Sequence, residues 1–417
     1  MWHRPFAKTY TLRVLALVLG TACGDAAREP GARGGWRADI DTVGDTIVVT
    51  TLGGTETREA HLVEEFRIGS VEGADHQVFG DITALAANEA GEVFVYDAQA
   101  VALRRYGADG RYIGTIGGPG AGPGEYQNVA GLAVLEDGRI VVHDFGNARY
   151  NVYTADGEIL TTWLLRPAVA DRRPLYPDGS GGVFLHDRRL VGGESTREEI
   201  LVAVGETGEL GDTILIPHAE YRPPGLEVRT ERFSVGTFVP FTPTREWSVT
   251  ANGELVTMSG TRYALDVHRR DGRVVRISRE IDAVPVSLEE RVAEEERVTA
   301  RFRRVVPGWR WDGPPIPEFK PPIRWIHTGA DTTIWVAVAA PGRAVPDSLR
   351  LRNARSWVVE PLILDVFRPD GRFLGRVNAP PEMQLSPHPA FSRDHVWAVV
   401  IDENGVHFVS RFRIVRP

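Results

Sequence analysis

Two histidine–aspartate pairs are the side chains in this chain that most resemble metal ligands. His143 precedes Asp144, and His186 precedes Asp187 at the end of a similar apolar run. Asp97 ends a third such run. Imidazole nitrogens and carboxylate oxygens ligate divalent cations. An aspartate at a strand end, however, commonly caps the following turn through backbone N–H groups, and strand alternation directs neighbouring side chains to opposite faces. The pairs therefore favour a structural role over a metal site.

Enzymatic activity has no motif to support it. The chain contains no G-x-S-x-G, H-E-x-x-H or C-x-x-C pattern. Lysine occurs only at Lys8 and Lys320, so Lys320 is the one candidate for Schiff-base chemistry outside the N-terminal segment. We therefore expect a non-enzymatic protein and no cofactor, while a catalytic function remains an open alternative.

The glycine-rich stretch GGPGAGPGEY, residues 117–126, resembles a phosphate-binding loop. The nucleotide interpretation fails because Pro123, Glu125 or Gln127 stands where G-x-G-x-x-G requires its third glycine. No lysine follows the stretch, which excludes a P-loop. Glycine and proline instead suit a tight connection between two structural elements.

The positions of these residues follow from an internal repeat. GEVFVYD at 91–97 matches GRIVVHD at 138–144, and the constant offset of 47 residues also relates Tyr106 to Tyr153 and Gly110 to Gly157. A constant offset over turn and core positions indicates one structural unit that is copied. Looser copies follow at 181–187, 251–258, 332–338 and 395–400, which makes six.

Each copy predicts four short strands, because apolar runs alternate with glycine-bearing turns such as EAGE and ADGR. Four-stranded units of this length that repeat around an axis form a propeller. We therefore predict an all-β fold, a six-bladed β-propeller over residues 36–417. The last copy lacks an outer strand, and residues 61–69 are expected to supply it, with 45–51 adding a further strand there.

The repeat resembles NHL-type six-bladed propeller proteins over residues 62–417. The similarity rests on G-x-[IV]-[FV]-V-x-D, a following DG turn and GAGPGEY, and copies four to six depart from it because they lack the aspartate. Propellers also include lactonases and lyases that hold metals in the channel. The resemblance therefore implies a fold but selects no function.

Long insertions all fall in connections that share one face of the predicted disc, the top face. They occupy residues 188–199, 217–241, 287–322 and 339–357. In the third insertion, Ser287 and Glu290 form a capping-box pattern before apolar residues at helical spacing, which predicts one short amphipathic helix. A proline- and tryptophan-rich strap, residues 307–323, follows and is expected to cross the channel mouth, although the helix could equally just pack on the disc. One-sided long loops favour a functional top face.

Candidate binding residues lie on these insertions. Tryptophans in the strap could stack on a ligand, and the fourth insertion carries a charge of +3 on an acidic chain, which would favour an anionic ligand. The candidates are Trp309, Trp311, Arg343, Arg350, Arg352 and Arg355, together with His143 and His186.

The N-terminus predicts export. Residues 1–22 combine a basic flank, a short apolar run and small residues, as in a secretory signal peptide. The only cysteine follows at Cys23, which resembles the lipidation site of a bacterial lipoprotein. Residues 23–35 then form a turn-rich tether. An ordinary cleaved signal is the alternative. We expect the cell envelope, with the outer membrane favoured and the protein facing the periplasm or the surface.

Net charge moves from −8 to −11 once residues 1–22 are removed, which disfavours nucleic acid as a partner. The sequence thus predicts a membrane-tethered binding protein for a peptide, glycan or envelope protein. The alternative is a metal-dependent hydrolase or lyase that uses a divalent metal at the top of the channel.

Overall fold

The computed structural model describes residues 36–53, 59–165, 173–190, 197–218, 221–231, 234–258, 260–344 and 357–416. These residues form many strands and one α-helix, so the chain is an all-β protein with a helical insertion. No helix in these ranges is long and apolar enough to cross a membrane. The predicted signal peptide, Cys23 and the tether lie outside the described residues.

The elements are numbered in chain order. They are β1 (Trp36–Val43), β2 (Thr46–Gly53), β3 (Ala60–Ile68), β4 (Ile82–Ala87), β5 (Val93–Asp97), β6 (Ala102–Tyr106), β7 (Tyr112–Ile116), β8 (Gly118–Pro119), β9 (Glu125–Tyr126), β10 (Val129–Val134), β11 (Ile140–Asp144), β12 (Arg149–Tyr153), β13 (Ile159–Trp163), β14 (Tyr176–Pro177), β15 (Val183–Leu190), β16 (Arg197–Val204), β17 (Leu210–Leu215), β18 (Gly225–Arg229), β19 (Ser234–Phe238), β20 (Glu246–Val249), β21 (Leu255–Met258), β22 (Ala264–His268), β23 (Val274–Arg279), α1 (Leu288–Arg303), β24 (Ile323–Thr328), β25 (Ile334–Val338), β26 (Arg343–Ala344), β27 (Val358–Val359), β28 (Ile363–Phe367), β29 (Phe373–Asn378), β30 (Ala390–Phe391), β31 (His395–Ile401) and β32 (His407–Val415).

Most strands fall into groups of four, which we call units 1 to 6. Units 1 to 3 are the separate antiparallel sheets β4–β7, β10–β13 and β14–β17. Unit 4 is β20–β23, extended by β2 and β1. Unit 5 (β24, β25, β28, β29) and unit 6 (β30, β31, β32, β3) share one sheet through a short β29–β3 contact. This order is consistent with a β-propeller, and the 47-residue repeat corresponds to units 1 and 2.

The N-terminal strand β3 completes unit 6. It pairs antiparallel with β32, from His61 opposite Val415 to Ile68 opposite Val409. The chain therefore closes with three C-terminal strands and one N-terminal strand, as the sequence predicts. This pairing covers the outer edge of β32, which would otherwise be open to intermolecular strand pairing.

The predicted position of residues 45–51 is wrong. Strand β2 pairs in parallel with β23 of unit 4 and does not extend the closure in unit 6. Val49 of β2 is buried, and it packs closely against Gly371 in a turn of unit 5. Burial of this apolar side chain between units 4 and 5 explains why the strand lies there.

Apolar side chains form the core in layers between neighbouring sheets. One layer joins units 1 and 2 and contains Phe94, Tyr126 and Leu132. Tyr126 is fully buried, and its hydroxyl accepts a hydrogen bond from Leu103 N and donates one to Ile116 O, each at 2.8 Å. The phenol thereby fills the layer without an unpaired polar atom.

The glycine-rich loop is a structural connection between units 1 and 2. Gly117 has a φ of +64°, and a Cβ there would lie 2.3 Å from the carbonyl oxygen of Gly124. Gly122 N donates to the Glu125 carboxylate at 2.6 Å, and Arg149 donates to carbonyl oxygens of the loop. The loop therefore wraps around one of its own carboxylates.

Strand direction defines the two ends of the molecule. Because successive strands in a unit are antiparallel, the connections between second and third strands share one end with the connections between units. We call this end the top face. It carries α1, the β18–β19 hairpin and the β26–β27 pair, and so the described parts of the insertions lie there.

Helix α1 begins at the predicted capping box. Ser287 Oγ accepts from Glu290 N at 3.2 Å, and Glu290 Oε2 accepts from Ser287 N at 2.9 Å. The apolar residues at helical spacing run from Leu288 through Val298 and Phe302, and the prediction that they share a buried face is partly wrong. Val298 and Phe302 are buried, whereas Leu288 is 72% exposed. The helix turns Val298 and Phe302 towards the β18–β19 hairpin, which leaves its first apolar residue in solvent.

Candidate functional site

The strand-end aspartates Asp97 and Asp144 bind backbone groups. Asp97 accepts from the N–H groups of residues 80 and 81, each at 3.0 Å, and Asp144 accepts from those of residues 127 and 128, each at 3.1 Å. Both aspartates are almost fully buried. They therefore hold the connection that enters their own unit as well as the turn that follows them, which confirms the structural interpretation.

His143 and His186 pack against aromatic rings. The His143 ring stacks on Tyr150 with centroids 4.4 Å apart, and His186 meets Trp247 edge-on at 4.9 Å. With Arg173 they line a cavity of about 20 Å³, which holds about one water. Among the residues that the structure describes, no three His, Cys, Asp or Glu side chains are grouped to bind a metal. The geometry thus brings the two imidazoles to one cavity without a third ligand.

A second imidazole cluster was missed by sequence reasoning. His327, on the innermost strand of unit 5, lies 4.8 Å from His388 and 5.5 Å from Trp325 between ring centroids. Burial lowers the pKa of His327 well below its usual value, and the neighbouring His388 and Arg173 lower it further. The sequence does show a histidine within an apolar inner strand, but no local pattern indicates which side chains lie beside it.

The strap tryptophans pack within the insertions. Trp309 meets Phe302 of α1 edge-on at 4.8 Å, and Trp311 Nε1 donates to Pro314 O at 3.1 Å. Both rings are partly buried against a small apolar cluster that also contains Leu226 of the β18–β19 hairpin. These rings stabilise the top-face insertions, and a role in ligand stacking stays a prediction.

The arginine candidates are only partly described. Arg343 is exposed in β26. Arg350, Arg352 and Arg355, like Cys23, lie outside the described residues. The predicted cationic surface on the fourth insertion therefore stays a prediction.

An open cavity of about 400 Å³ lies where the top-face insertions meet. We call it the top-face cleft. Its walls come from the end of the 217–241 insertion, from helix α1 and the strap, and from the strand that follows the fourth insertion. The lining residues are Pro240, Phe241, Thr242, Thr244, Glu290, Glu294, Arg297, Lys320, Pro321, Arg324, Val358 and Glu360.

A buried ionic network forms one wall of the cleft. Lys320 Nζ donates to Glu290 Oε1 and, at 2.5 Å, to Ala340 O, and it lies 3.6 Å from Glu360 Oε2. The side chains of Lys320 and Glu290 are 0% and 3% exposed. Lys320 is therefore held by two hydrogen-bond acceptors and a second carboxylate, which makes it a structural link and a poor candidate for Schiff-base chemistry.

Phe241 is held in a strained conformation beside Lys320. Its φ of +59° lies in the left-handed region, which bulky residues rarely adopt. The Lys320 ammonium lies 5.5 Å from the centroid of the Phe241 ring. Strained residues persist where the surrounding structure holds them, and they concentrate at functional sites. Phe241 thus presents a fixed aromatic surface to the cleft.

Two further ion pairs border the cleft. Arg297 Nε and Nη2 donate to one Glu294 oxygen at 2.8 and 2.6 Å. Arg324 Nε lies 3.3 Å from Glu360 Oε1. Arg297 and Arg324 remain 34% and 28% exposed, so both guanidinium groups are within reach of a ligand in the cleft.

One stretch of the chain matches a known protein family. The family model DUF5128, described as a 6-bladed beta-propeller, matches residues 51–167, less than a third of the chain. No curated protein matches. The strand order and this match together define the class: an all-β chain consistent with a six-bladed β-propeller.

Solved structures share the chain's overall course only weakly. A member of the DUF4221 family from Bacteroides vulgatus is 11% identical, with a TM-score of 0.46, covering 86% of this chain and 99% of that one. Virginiamycin B lyase from Staphylococcus aureus is 12% identical, with a TM-score of 0.39 and coverages of 80% and 95%. At these values neither structure supports a function for this chain.

Proposed function

We propose that this protein is a non-enzymatic, membrane-tethered binding propeller of the cell envelope, whose ligand or partner occupies the top-face cleft. The single observation that carries the proposal is the cleft, which exists only because several separate insertions converge. Its volume of about 400 Å³ falls within the range of small-molecule sites. A peptide, a glycan or a segment of an envelope protein are the partners considered.

The finer features of the scaffold belong to the same proposal. We take units 1 to 6 as six NHL-type blades, supported by the 47-residue repeat and by the sheet order. Attachment through a lipid on Cys23 is supported by the signal-like residues 1–22 and by the small, polar tether that follows. The metal-dependent alternative would need a group of at least three His, Cys, Asp or Glu side chains, and the described residues contain none.

Obstruction of the cleft tests this function. We expect Val358→Trp to fill part of the cavity and to abolish the thermal stabilisation that a bound ligand produces in the unmodified protein. The measurement is a thermal-shift screen of the full chain in detergent against peptide and glycan collections. Val43, which is 63% exposed on β1, provides the matched control Val43→Trp.

Both outcomes are informative. Ligands that stabilise the unmodified protein and Val43→Trp, but not Val358→Trp, would support binding in the cleft. Ligands that stabilise all three proteins equally, or the absence of any stabilising ligand in the collections, would contradict the proposal.

A further inference from the structure

We propose that the top-face cleft selects a zwitterionic ligand with free amino and carboxylate groups, in particular a short peptide with unblocked ends. This inference rests on the proposed function and names the ligand class of the same site. It follows from the pairing of charges around the cleft, from its apolar surfaces and from the kinds of polar side chain that line it.

Charges around the cleft are balanced and interleaved. Three carboxylates and three cationic side chains line it, and each arginine lies beside a glutamate. An anion that enters the cleft is repelled by the carboxylate next to each guanidinium. A cation is repelled by the guanidinium next to each carboxylate. A ligand with both charges can exchange partners with a pair such as Arg297–Glu294 without leaving a charge unpaired, and an unpaired desolvated charge is costly.

The arginines suit a terminal carboxylate. The hydrogen bonds of Arg297 to Glu294 occupy its Nε–Nη2 edge. Guanidinium groups bind carboxylates through two parallel N–H donors, and Arg297 presents a second donor edge for such a contact. Arg324 is the other partly exposed guanidinium in the lining.

The opposite end of the ligand suits Glu294 and Phe241. Glu294 lies beside Arg297, with a side chain 16% exposed. The fixed Phe241 ring already contacts one ammonium group, that of Lys320, and an aromatic face attracts cations. Pro240, Pro321 and Val358 supply apolar surface for a side chain between the charged ends.

The same lining disfavours a neutral glycan. The lining residues in the described part of the chain include no Asn, Gln, Trp or Tyr, and Thr242 Oγ1 already donates to Val239 O at 2.6 Å. A neutral hydroxyl group cannot take the place of either partner in these ion pairs, because breaking a pair leaves a charge without its partner. A peptide with charged ends is the better match.

Binding of end-blocked peptides tests the inference. The full chain in detergent is titrated with a library of all free-ended dipeptides of the common amino acids at millimolar concentration, with the same library N-acetylated, with the same library C-amidated, and with maltose. Native mass spectrometry identifies the bound species, and calorimetry measures their affinities. We expect free-ended dipeptides to bind, and each blocked form to bind about tenfold or more weakly.

Variants assign the two ends. In Arg297→Gln or Arg324→Gln, C-terminal amidation of the peptide should weaken binding less than it does in the unmodified protein. In Glu294→Gln, N-terminal acetylation should weaken binding less. Arg276→Gln is the matched control, because Arg276 pairs with Asp266 on strands β22 and β23, outside the cleft lining. Circular dichroism confirms that each variant is folded.

The outcomes separate this inference from the proposed function. Free-ended selectivity that changes only in the cleft variants supports the inference. Tighter binding of maltose or of end-blocked peptides, sensitive to Val358→Trp, overturns the ligand class while the binding function stands. No binding by any of these probes overturns the ligand class, and the proposed function is then decided by the thermal-shift screen with Val358→Trp.

Discussion

Some buried polar side chains in the described part of the chain have hydrogen-bond partners, and His327 is one that has none at its Nδ1. The aspartates Asp97 and Asp144 are buried but accept several backbone hydrogen bonds. His327 is only 7% exposed, and among the described residues its Nδ1 has no hydrogen-bond partner. It packs between His388 and Trp325, with Arg173 adding positive potential. This environment excludes a proton from the ring.

Stability should therefore decrease on acidification. The pKa of His327 is lower in the folded protein than the value of about 6.5 in the unfolded chain, so the unfolded state binds more protons and the free energy of unfolding falls as pH drops below about 6.5. We expect His327→Phe to remove this loss, so that its stability relative to the unmodified protein rises by up to about 1.4 kcal/mol per pH unit below that point. Urea unfolding from about pH 7 to pH 5 measures it.

A control separates His327 from other titrating groups. His218 is exposed, and His218→Gln should leave the pH profile of the unmodified protein in place. A stability difference between His327→Phe and the unmodified protein that does not change with pH would contradict the prediction.

At the scale of elements, the top face depends on one ionic link between three segments. Lys320 lies near the end of the strap, Glu290 caps helix α1, and Glu360 lies between β27 and strand β28 of unit 5. Glu290 has two roles, since one of its oxygens caps the helix and the other accepts from Lys320. The link thus fixes the helix and the strap against unit 5, and it forms one wall of the cleft.

Loss of this link should be costly. Lys320→Met removes the cation and leaves the buried Glu290 carboxylate without its cationic partner, while Glu360 keeps Arg324, so we expect the free energy of unfolding to fall by about 3 to 5 kcal/mol. Chemical denaturation measures the change. Arg276→Met is the matched control, because its pair with Asp266 is partly exposed and surface pairs contribute about 0 to 1 kcal/mol. Equal losses in the two variants would show that Lys320 is not a structural link.

At the scale of the whole molecule, the N-terminal region closes the fold, and the proposed lipid attachment would also lie there. Strand β3 completes unit 6, and the hairpin β1–β2 covers the outer strand of unit 4. The described chain begins at Trp36, opposite Gly53 in that hairpin. Because β2 runs parallel to β23, which leads to the top-face insertion with α1, Trp36 lies towards the top end. A tether from Cys23 would therefore join the molecule on the side that carries the insertions.

Lipid attachment is testable in cells. We expect Cys23→Ala to move the exported protein from the membrane fraction to the soluble fraction and to remove the mass of the lipid, because the only thiol that could carry it is lost. Fractionation and intact-mass measurement detect both changes. Ala27→Ser in the tether is the control. A Cys23→Ala protein that stays in the membrane fraction would favour a different mode of attachment.

Sequence alone determined the features that repeat or act locally. The glycine-bearing turns and the capping box at Ser287 depend on residues a few positions apart, and the offset of 47 residues appears when such local patterns are compared along the chain. Together they predicted the units, the side that carries the insertions and the start of α1. Residues 45–51 do form a strand, as predicted, but the predicted position of that strand in the fold was wrong. Alternation of apolar and polar residues indicates a strand but not the strand with which it pairs.

Only the tertiary structure decided which distant side chains meet. Lys320 joins Glu290 and Glu360 across seventy residues of chain, and His327 meets His388 through the contact of two units. No local pattern encodes such pairs, since their energy depends on burial and distance that arise only when the sheets close on one another. The cleft has the same origin, because its walls are segments far apart in sequence that the closed fold brings together.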